Sequence, residues 1–498
     1  MFRRILVANR GEIALRVLRT ARELGIEVVA VCSEADRDAL HVRLANQAVV
    51  LGGPAPSDSY LRADRIVEAA KRSGAEAIHP GYGFLSENAA FAEAVAAAGL
   101  TFVGPSAAAI RRMGDKIAAR EAAAEAAVPV VPGINQEGSD PQALLGFARE
   151  IGFPVMLKAA AGGGGKGIRI VRDESELAQA AKLAAAEAQG AFGDGRVYLE
   201  KFLTKPRHVE VQVMADTHGK VVTYGERECS VQRRHQKLVE ETPCVVLTPA
   251  TRAAMCEAAR RVSAAIGYVG AGTVEFLYSE GEFYFLEMNT RLQVEHPITE
   301  ECYGVDLVAE QLRVAAGGHA ADPGPARGAA IEVRINAEDP LTFFPSLGTI
   351  ERISMPGGPG VRIDSALNAG LEVTPYYDSM LAKLIVWAPT RELAIRKMLR
   401  ALAELRISGV KTSISVAAKA LRSQPFQSGD YDTGLLELIA DEPGIAASLD
   451  ADIAAIAAAF AKKEGLLARR NGARVTTDDQ VAAPVEAWVL AARRAGRR

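Results

Sequence analysis

The sequence predicts an α/β chain, α+β taken as a whole, with about three domains and a helical tail. Three observations lead there. Residues 3–33 run strand, turn, helix, strand, and the middle of the chain is rich in short apolar strands that close on a hairpin. The 498 residues, 49% hydrophobic and 24% charged, leave room for about three domains of the usual ~150 residues.

Ile5-Leu-Val-Ala reads as the first strand. Gly11 to Leu24 follows as a helix with Ile13, Val17, Leu18 and Leu24 on one face, and Gly25 precedes the second strand, Val28-Val-Ala-Val. This is a βαβ unit of a parallel sheet. Its turn, Asn9-Arg10-Gly11-Glu12-Ile13-Ala14, has one glycine where the dinucleotide fingerprint needs three, so an NAD site is disfavoured despite Glu34 after the second strand. Short strands at Ala77-Ile78 and Thr101-Phe-Val alternate with Ala-rich helices up to about residue 113.

A second domain opens near Met113-Gly-Asp-Lys. It holds the strands Pro154 to Lys158 and Ile168 to Val171, strand-rich sequence from Val197 to Met214, and a hairpin of Thr273 to Tyr278 and Phe283 to Glu287 turned at Ser279-Glu-Gly-Glu. The Ala-rich stretch Ala118 to Ala127 is read as helix. A Gly/Pro-rich linker spans Gly317 to Gly328, and Ile331-Glu-Val-Arg-Ile opens a third region reaching about Ala440. Beyond it, Ile453, Ile456 and Phe460, then Val485 and Trp488, recur at helical spacing beside clustered Lys and Arg. That pattern predicts amphipathic helices.

Composition narrows the function. A net charge of −3 and a pI near 6.3 argue against a general nucleic-acid binder. The start passes directly into a strand and no 18-residue apolar stretch follows, which leads us to expect a cytoplasmic protein without an export signal. Five cysteines without a C-x-x-C pair support neither a zinc site nor a disulfide framework. Seven scattered histidines leave carboxylates to hold any divalent ion.

The chemistry gathers in a few motifs. Four glycines, Gly162 to Gly165, precede Lys166 and Gly167 between two strands, and their successive N–H groups can approach phosphate oxygens. The loop is not a P-loop, because Gly167 stands where Ser or Thr is required and a strand follows. Lys158 and Lys116 are candidate phosphate cations. Glu275 and Glu287 fall on the two arms of the hairpin, inside apolar strands, with Asn289 just beyond; converging oxygens of this kind suit Mg²⁺. Alternation along an extended segment would put Arg291, Gln293 and Glu295 on one face, able to hold a planar oxyanion and remove its proton. Upstream, Gln232 leads the run Arg233 to Lys237, with four cations in five residues.

Taken together, Lys158 to Gly167, the Glu275/Glu287/Asn289 set, Gln232 to Lys237, Asn289 to Pro297 and Ile331 to Asp339 resemble biotin carboxylase, an ATP-grasp enzyme. The N-terminal Ile5 to Ala14, His79 to Asn88 and Tyr376 to Met380 match as well, so the resemblance covers roughly residues 2–440. It implies an ATP-grasp fold with a Rossmann-like domain at 1–113, an ATP-grasp domain at 114–328 with a mobile glycine-rich lid at about 131–203, an α+β C-terminal domain at 329–446 and a helical tail at 447–498.

The implied reaction carboxylates biotin on a carrier protein with ATP, Mg²⁺ (Mn²⁺ as an alternative) and bicarbonate, by way of carboxyphosphate. By resemblance, Lys116, Lys158, Gly163, Gly164, Gly165, Lys166, Gly167, Glu200, Lys201, Leu203, His208, Gln232 and His235 bind ATP. Glu275, Glu287 and Asn289 hold the metal; Lys237, Arg291, Gln293, Val294 and Glu295 hold bicarbonate, with Glu295 as base; Arg334 and Tyr82 meet biotin. The implied partners are a biotin carboxyl carrier protein, a carboxyltransferase and a second copy of the chain, with neither nucleic acid nor membrane. Acetyl- or propionyl-CoA is the expected final acceptor, a two-subunit pyruvate carboxylase the alternative, and another ATP-grasp ligase a further rival. Met-Lys occurs nowhere in the chain, so the biotin is expected on a different polypeptide. Cys302-Tyr303 and Ser413 depart from the family pattern, which leaves partner contacts open there.

Overall fold

The computed structural model describes residues 1–134, 141–159, 168–233 and 236–440. The first sheet contains β1 (Arg4–Val7), β2 (Glu27–Ser33), β3 (Gln47–Gly52), β4 (Ala77–His79) and β5 (Thr101–Phe102) in the order 3-2-1-4-5. All its pairings are parallel. The expected βαβ unit is there: helix α1 (Gly11–Glu23) buries Ile13, Ala14, Val17, Leu18 and Ala21. Leu24 departs from the expectation, being 39% exposed at the helix end, where the chain turns through Gly25 at φ 75° and leaves the helical face.

A small antiparallel sheet follows, made of β6 (Gly133–Ile134), β7 (Val155–Ala159), β8 (Arg169–Val171) and β9 (Val197–Lys201), ordered 6-9-7-8. Helices Pro141–Ile151 and Glu174–Phe192 cover it through a core of Leu144, Ala148, Leu177 and Ala181. The glycine loop joining β7 to β8 lies outside the described residues. The Ala-rich helix runs Lys116–Glu125; Ala127, expected inside it, has left the helix at φ 55°.

The largest sheet has eight strands. Along the chain these are β10 (Arg207–Ala215), β11 (Val221–Arg233), β12 (Gln236–Thr242), β13 (Gly270–Ser279), β14 (Glu282–Asn289) and β15 (Ala329–Asn336). After β16 (Gly348–Thr349) and β17 (Arg352–Ser354), β18 (Val361–Ser365) joins the sheet; β19 (Glu372–Val373) intervenes before β20 (Met380–Ala388), the last strand of the sheet in chain order. The order is 14-13-10-11-12-15-20-18, so the sheet continues unbroken across the Gly/Pro linker. The hairpin forms as expected: Ser279 faces Glu282, and Glu280 and Gly281 turn at φ 53° and 89°. Helix Arg391–Glu404 packs its Ala394, Ile395, Met398 and Leu402 over β15 and β20. No described helix is long and apolar enough to cross a membrane. The amphipathic helices expected in 447–498 lie outside the described residues.

Candidate active site

A cleft of about 1360 Å³ opens beside the largest sheet. Its walls include Lys116, Lys158, Glu200, Lys201, Leu203, His208 and Gln232, as well as Lys237, Glu275, Glu287, Asn289, Arg291, Gln293, Val294, Glu295, Arg334 and Tyr82. Every expected site residue that the structure describes therefore borders one cavity. Gly163, Gly164, Gly165, Lys166, Gly167 and His235 lie outside the described residues.

At one part of the wall, Lys158 Nζ stands 2.5 Å from Glu200 Oε2, and Glu200 also takes Arg120. The Glu200 side chain thus holds two cations as well as bordering the cleft. Lys116 begins its helix directly after Asp115, whose carboxylate caps the N–H groups of Ile117 and Ala118.

Two rows of charge cross the sheet, and strand register makes both. In the first, Arg227 of β11 faces Glu210 of β10, which faces Glu275 of β13, which faces Glu287 of β14. Directly opposed residues on adjacent strands share a face. Lys237, on β12, reaches this row: its Nζ lies 2.6 Å from Glu210, 3.0 Å from Glu275, 3.2 Å from Gln293 Oε1 and 2.7 Å from Glu295. Burial opposes the Lys237 charge, but these carboxylates outweigh it and hold the ammonium well above its ordinary pKa. Glu275 also meets His208 at 2.7 Å, Asn289 Nδ2 at 2.9 Å and Gln293 Nε2 at 3.0 Å. Its carboxyl is lowered despite burial, chiefly by Lys237 and His208. Glu287 is raised instead, by burial and by the charge of Glu275.

In the second row, Arg334 of β15 faces Lys383 of β20, which faces Asp364 of β18. The Arg334 guanidinium spans two carboxylates, with Nε 2.6 Å from Glu240 and Nη2 3.0 Å from Glu295. Burial raises the Glu240 carboxyl to about 7 even with Arg334 lowering it. Glu295, 1% exposed between Lys237 and Arg334, is held well below the usual carboxylate range against the cost of burial.

One expectation needs correction. Residues 290–295 are not an extended strand: β14 ends at Asn289, and the chain bends and turns into helix His296–Tyr303, with Glu295 at its N-terminal boundary. Starting a helix at His296, with Pro297 in its first turn, requires that turn. Arg291, Gln293 and Glu295 therefore do not share a face by alternation. Gln293 and Glu295 converge on Lys237, whereas Arg291 is held by Glu87 at 2.8 Å and by Asn289 Oδ1 at 3.1 Å.

The three parts of the chain match known families. Residues 1–110 fit the biotin carboxylase N-terminal domain and residues 332–438 the biotin carboxylase C-terminal domain. Between them, residues 115–321 fit the carbamoyl-phosphate synthase L chain ATP binding domain. The chain is 53% identical over 441 residues to a pyruvate carboxylase subunit of Methanothermobacter thermautotrophicus, covering 88% of this chain and 90% of that protein. Biotin carboxylase of Haemophilus influenzae is 52% identical over 442 residues, 88% of this chain and 98% of its own length. The chain belongs to the biotin carboxylase family. It is thus an ATP-grasp ligase. Its fold superposes on the biotin carboxylase domain dimer of Hydrogenobacter thermophilus 2-oxoglutarate carboxylase, solved with MgADP, ADP and bicarbonate, with a TM-score of 0.84 at 49% identity, covering 88% and 98% of the two chains.

Within this biotin carboxylase framework the residues that depart from the family pattern have structural places. Ser413 Oγ accepts the Asn336 N–H at 2.9 Å and donates to the Arg334 carbonyl at 3.1 Å, fastening the strand that carries Arg334. Cys302 is buried, and Tyr303 meets Tyr224 edge-on at 5.8 Å. Sequence reasoning missed Glu210, Glu240, Arg227, Glu87 and Lys383. A signal existed for some of them: His208, Glu210 and Gln212 alternate with valines, and Lys383 interrupts the apolar run Leu381 to Val386.

Proposed function

We propose that the chain uses ATP and bicarbonate to carboxylate biotin held on a separate carrier protein, through carboxyphosphate. The observation that carries this reading is the convergence of Lys237, Gln293, Glu295 and Arg334 in the wall of one cleft of about 1360 Å³.

In this reading the Lys237 ammonium, Arg291, the Gln293 amide and the Val294 N–H hold bicarbonate. Glu295 takes its proton as an oxygen attacks the γ-phosphorus of ATP and ADP leaves. The carboxyl group then passes to N1′ of biotin as phosphate departs and carries off the N1′ proton, and Arg334 stabilises the negative charge of the biotin enolate formed when that proton leaves, with Tyr82 on the biotin side of the site. Lys116, Lys158, Gly163 to Gly167, Glu200, Lys201, Leu203, His208, Gln232 and His235 form the ATP side of the site. Glu275 and Glu287, directly opposite on adjacent strands, offer carboxylate oxygens and Asn289 an amide oxygen, a donor set whose chemistry fits Mg²⁺ or Mn²⁺. When bound, that ion neutralises phosphate charge.

The proposed working units are residues 1–113, 114–328 with a lid at 131–203, 329–446 and the tail 447–498, in a cytoplasmic assembly with a carrier protein, a carboxyltransferase and a second copy of the chain. The half-reaction leaves the final acceptor to the carboxyltransferase. Acetyl- or propionyl-CoA is one reading; the 53% identity to a pyruvate carboxylase component favours pyruvate as the second. Purified protein with Mg²⁺ should cleave ATP only when bicarbonate is present, and free biotin should accelerate it. ATP turnover indifferent to both, but responsive to ammonia or an amino acid, would replace this reading with another ATP-grasp ligase.

A further inference from the structure

Arg334 and Lys383 are a cross-strand pair, and both point at the turn carrying Glu295. Arg334 grips the Glu295 side chain. Lys383, fully buried, donates to the backbone carbonyl of Val294 at 2.8 Å. That carbonyl belongs to the peptide unit joining Val294 to Glu295.

The distances decide what the Lys383 ammonium is aimed at. Its carboxylate neighbours are farther away, Glu12 Oε1 at 3.4 Å and Asp364 Oδ2 at 3.9 Å. Asp364 is already taken by the fork of Arg362, at 3.0 Å and 2.8 Å. A buried ammonium needs compensation, and a plain structural ion pair would close on a carboxylate. Here the shortest contact is a carbonyl, with the two acids standing behind it. Glu12 comes from the first turn of α1, borders the same cleft and is pushed up to about 7 by burial, against the pull of Lys383. The N-terminal sheet domain thereby supplies part of the counter-charge for a lysine of the C-terminal region.

We propose that Lys383, backed by Glu12, is a positioning residue that anchors the Val294 carbonyl, so that the bicarbonate-binding Val294 N–H on one side of that residue and the base Glu295 on the other keep their geometry. The proposal rests on the proposed function, in which that turn handles bicarbonate. A turn released by roughly 1 Å can cost on the order of 10²-fold in rate.

The test compares Lys383→Met with the double variant Lys383→Met/Glu12→Gln, which leaves no uncompensated Glu12 charge. MgATP affinity is measured alongside the bicarbonate dependence of ATP cleavage in the full chain. We expect the folded double variant to bind MgATP within about twofold of the unsubstituted protein, while kcat/KM for bicarbonate falls about 10- to 100-fold. Unchanged kcat/KM for bicarbonate would overturn the proposal. So would a parallel loss of MgATP affinity, or failure of both variants to fold, since each would make Lys383 a general structural residue. If the unsubstituted protein itself showed no bicarbonate dependence, the proposed function would fail first.

Discussion

Replacing Glu295 with glutamine is expected to lower biotin carboxylation by on the order of 10²–10⁴ while leaving ATP binding near normal. Glutamine keeps the shape but cannot accept the proton. The carboxylate is 1% exposed, 2.7 Å from Lys237 and 3.0 Å from Arg334, and those cations hold it ionised. A base so stabilised is a weak one. In the proposed reaction it becomes effective when bicarbonate takes over part of the Lys237 bonding and the biotin oxygen part of that of Arg334, which would restore its basicity on substrate entry. Steady-state carboxylation of free biotin, with circular dichroism as the check on folding, measures the effect. Near-normal turnover would remove Glu295 from the proton transfer.

Replacing Arg334 with alanine should cost roughly 10²–10³ in turnover, through lost stabilisation of the enolate charge. It should also destabilise the protein. Glu240 is fully buried and leans on Arg334, and stripping one partner from a buried pair typically costs about 3–5 kcal/mol. The pH dependence gives this loss a signature. Because the folded Glu240 carboxyl is raised to about 7, the stability tied to its protonation is fully present below the ordinary carboxylate range and is lost as pH rises through 7. Without Arg334 that carboxyl rises further, so the loss continues to higher pH. The gap in thermal midpoint between variant and unsubstituted protein should therefore widen from pH 6 to pH 8. A constant gap would mean that Arg334 does not govern Glu240.

Local signals carried much of this site. The βαβ unit was legible because its apolar periods are regular, and the hairpin because Glu280-Gly281 is a turn pair between alternating strands. Glu275 and Glu287 stood out as acids in apolar strands, and the register sets them directly opposite each other. Leu24 misled because apolar spacing does not show where a helix stops. The segment after Asn289 misled because its alternation is interrupted by a helix start. Glu210, Glu240 and Lys383 were harder to find for a different reason: they act through pairings with strands far away in sequence. Glu210 matters because β10 lies between β11 and β13, and Lys383 because β20 lies against β15. No single strand contains that information.

In the proposed reaction, bicarbonate held by Lys237 and deprotonated by Glu295 attacks ATP to form carboxyphosphate. The most direct test supplies ¹⁸O-labelled bicarbonate with ATP, Mg²⁺ and biotin, and analyses the inorganic phosphate by mass spectrometry. Attack by a bicarbonate oxygen on phosphorus, followed by transfer of the carboxyl group, leaves one labelled oxygen on each phosphate released per biotin carboxylated. Carboxybiotin formed alongside unlabelled phosphate would contradict the account.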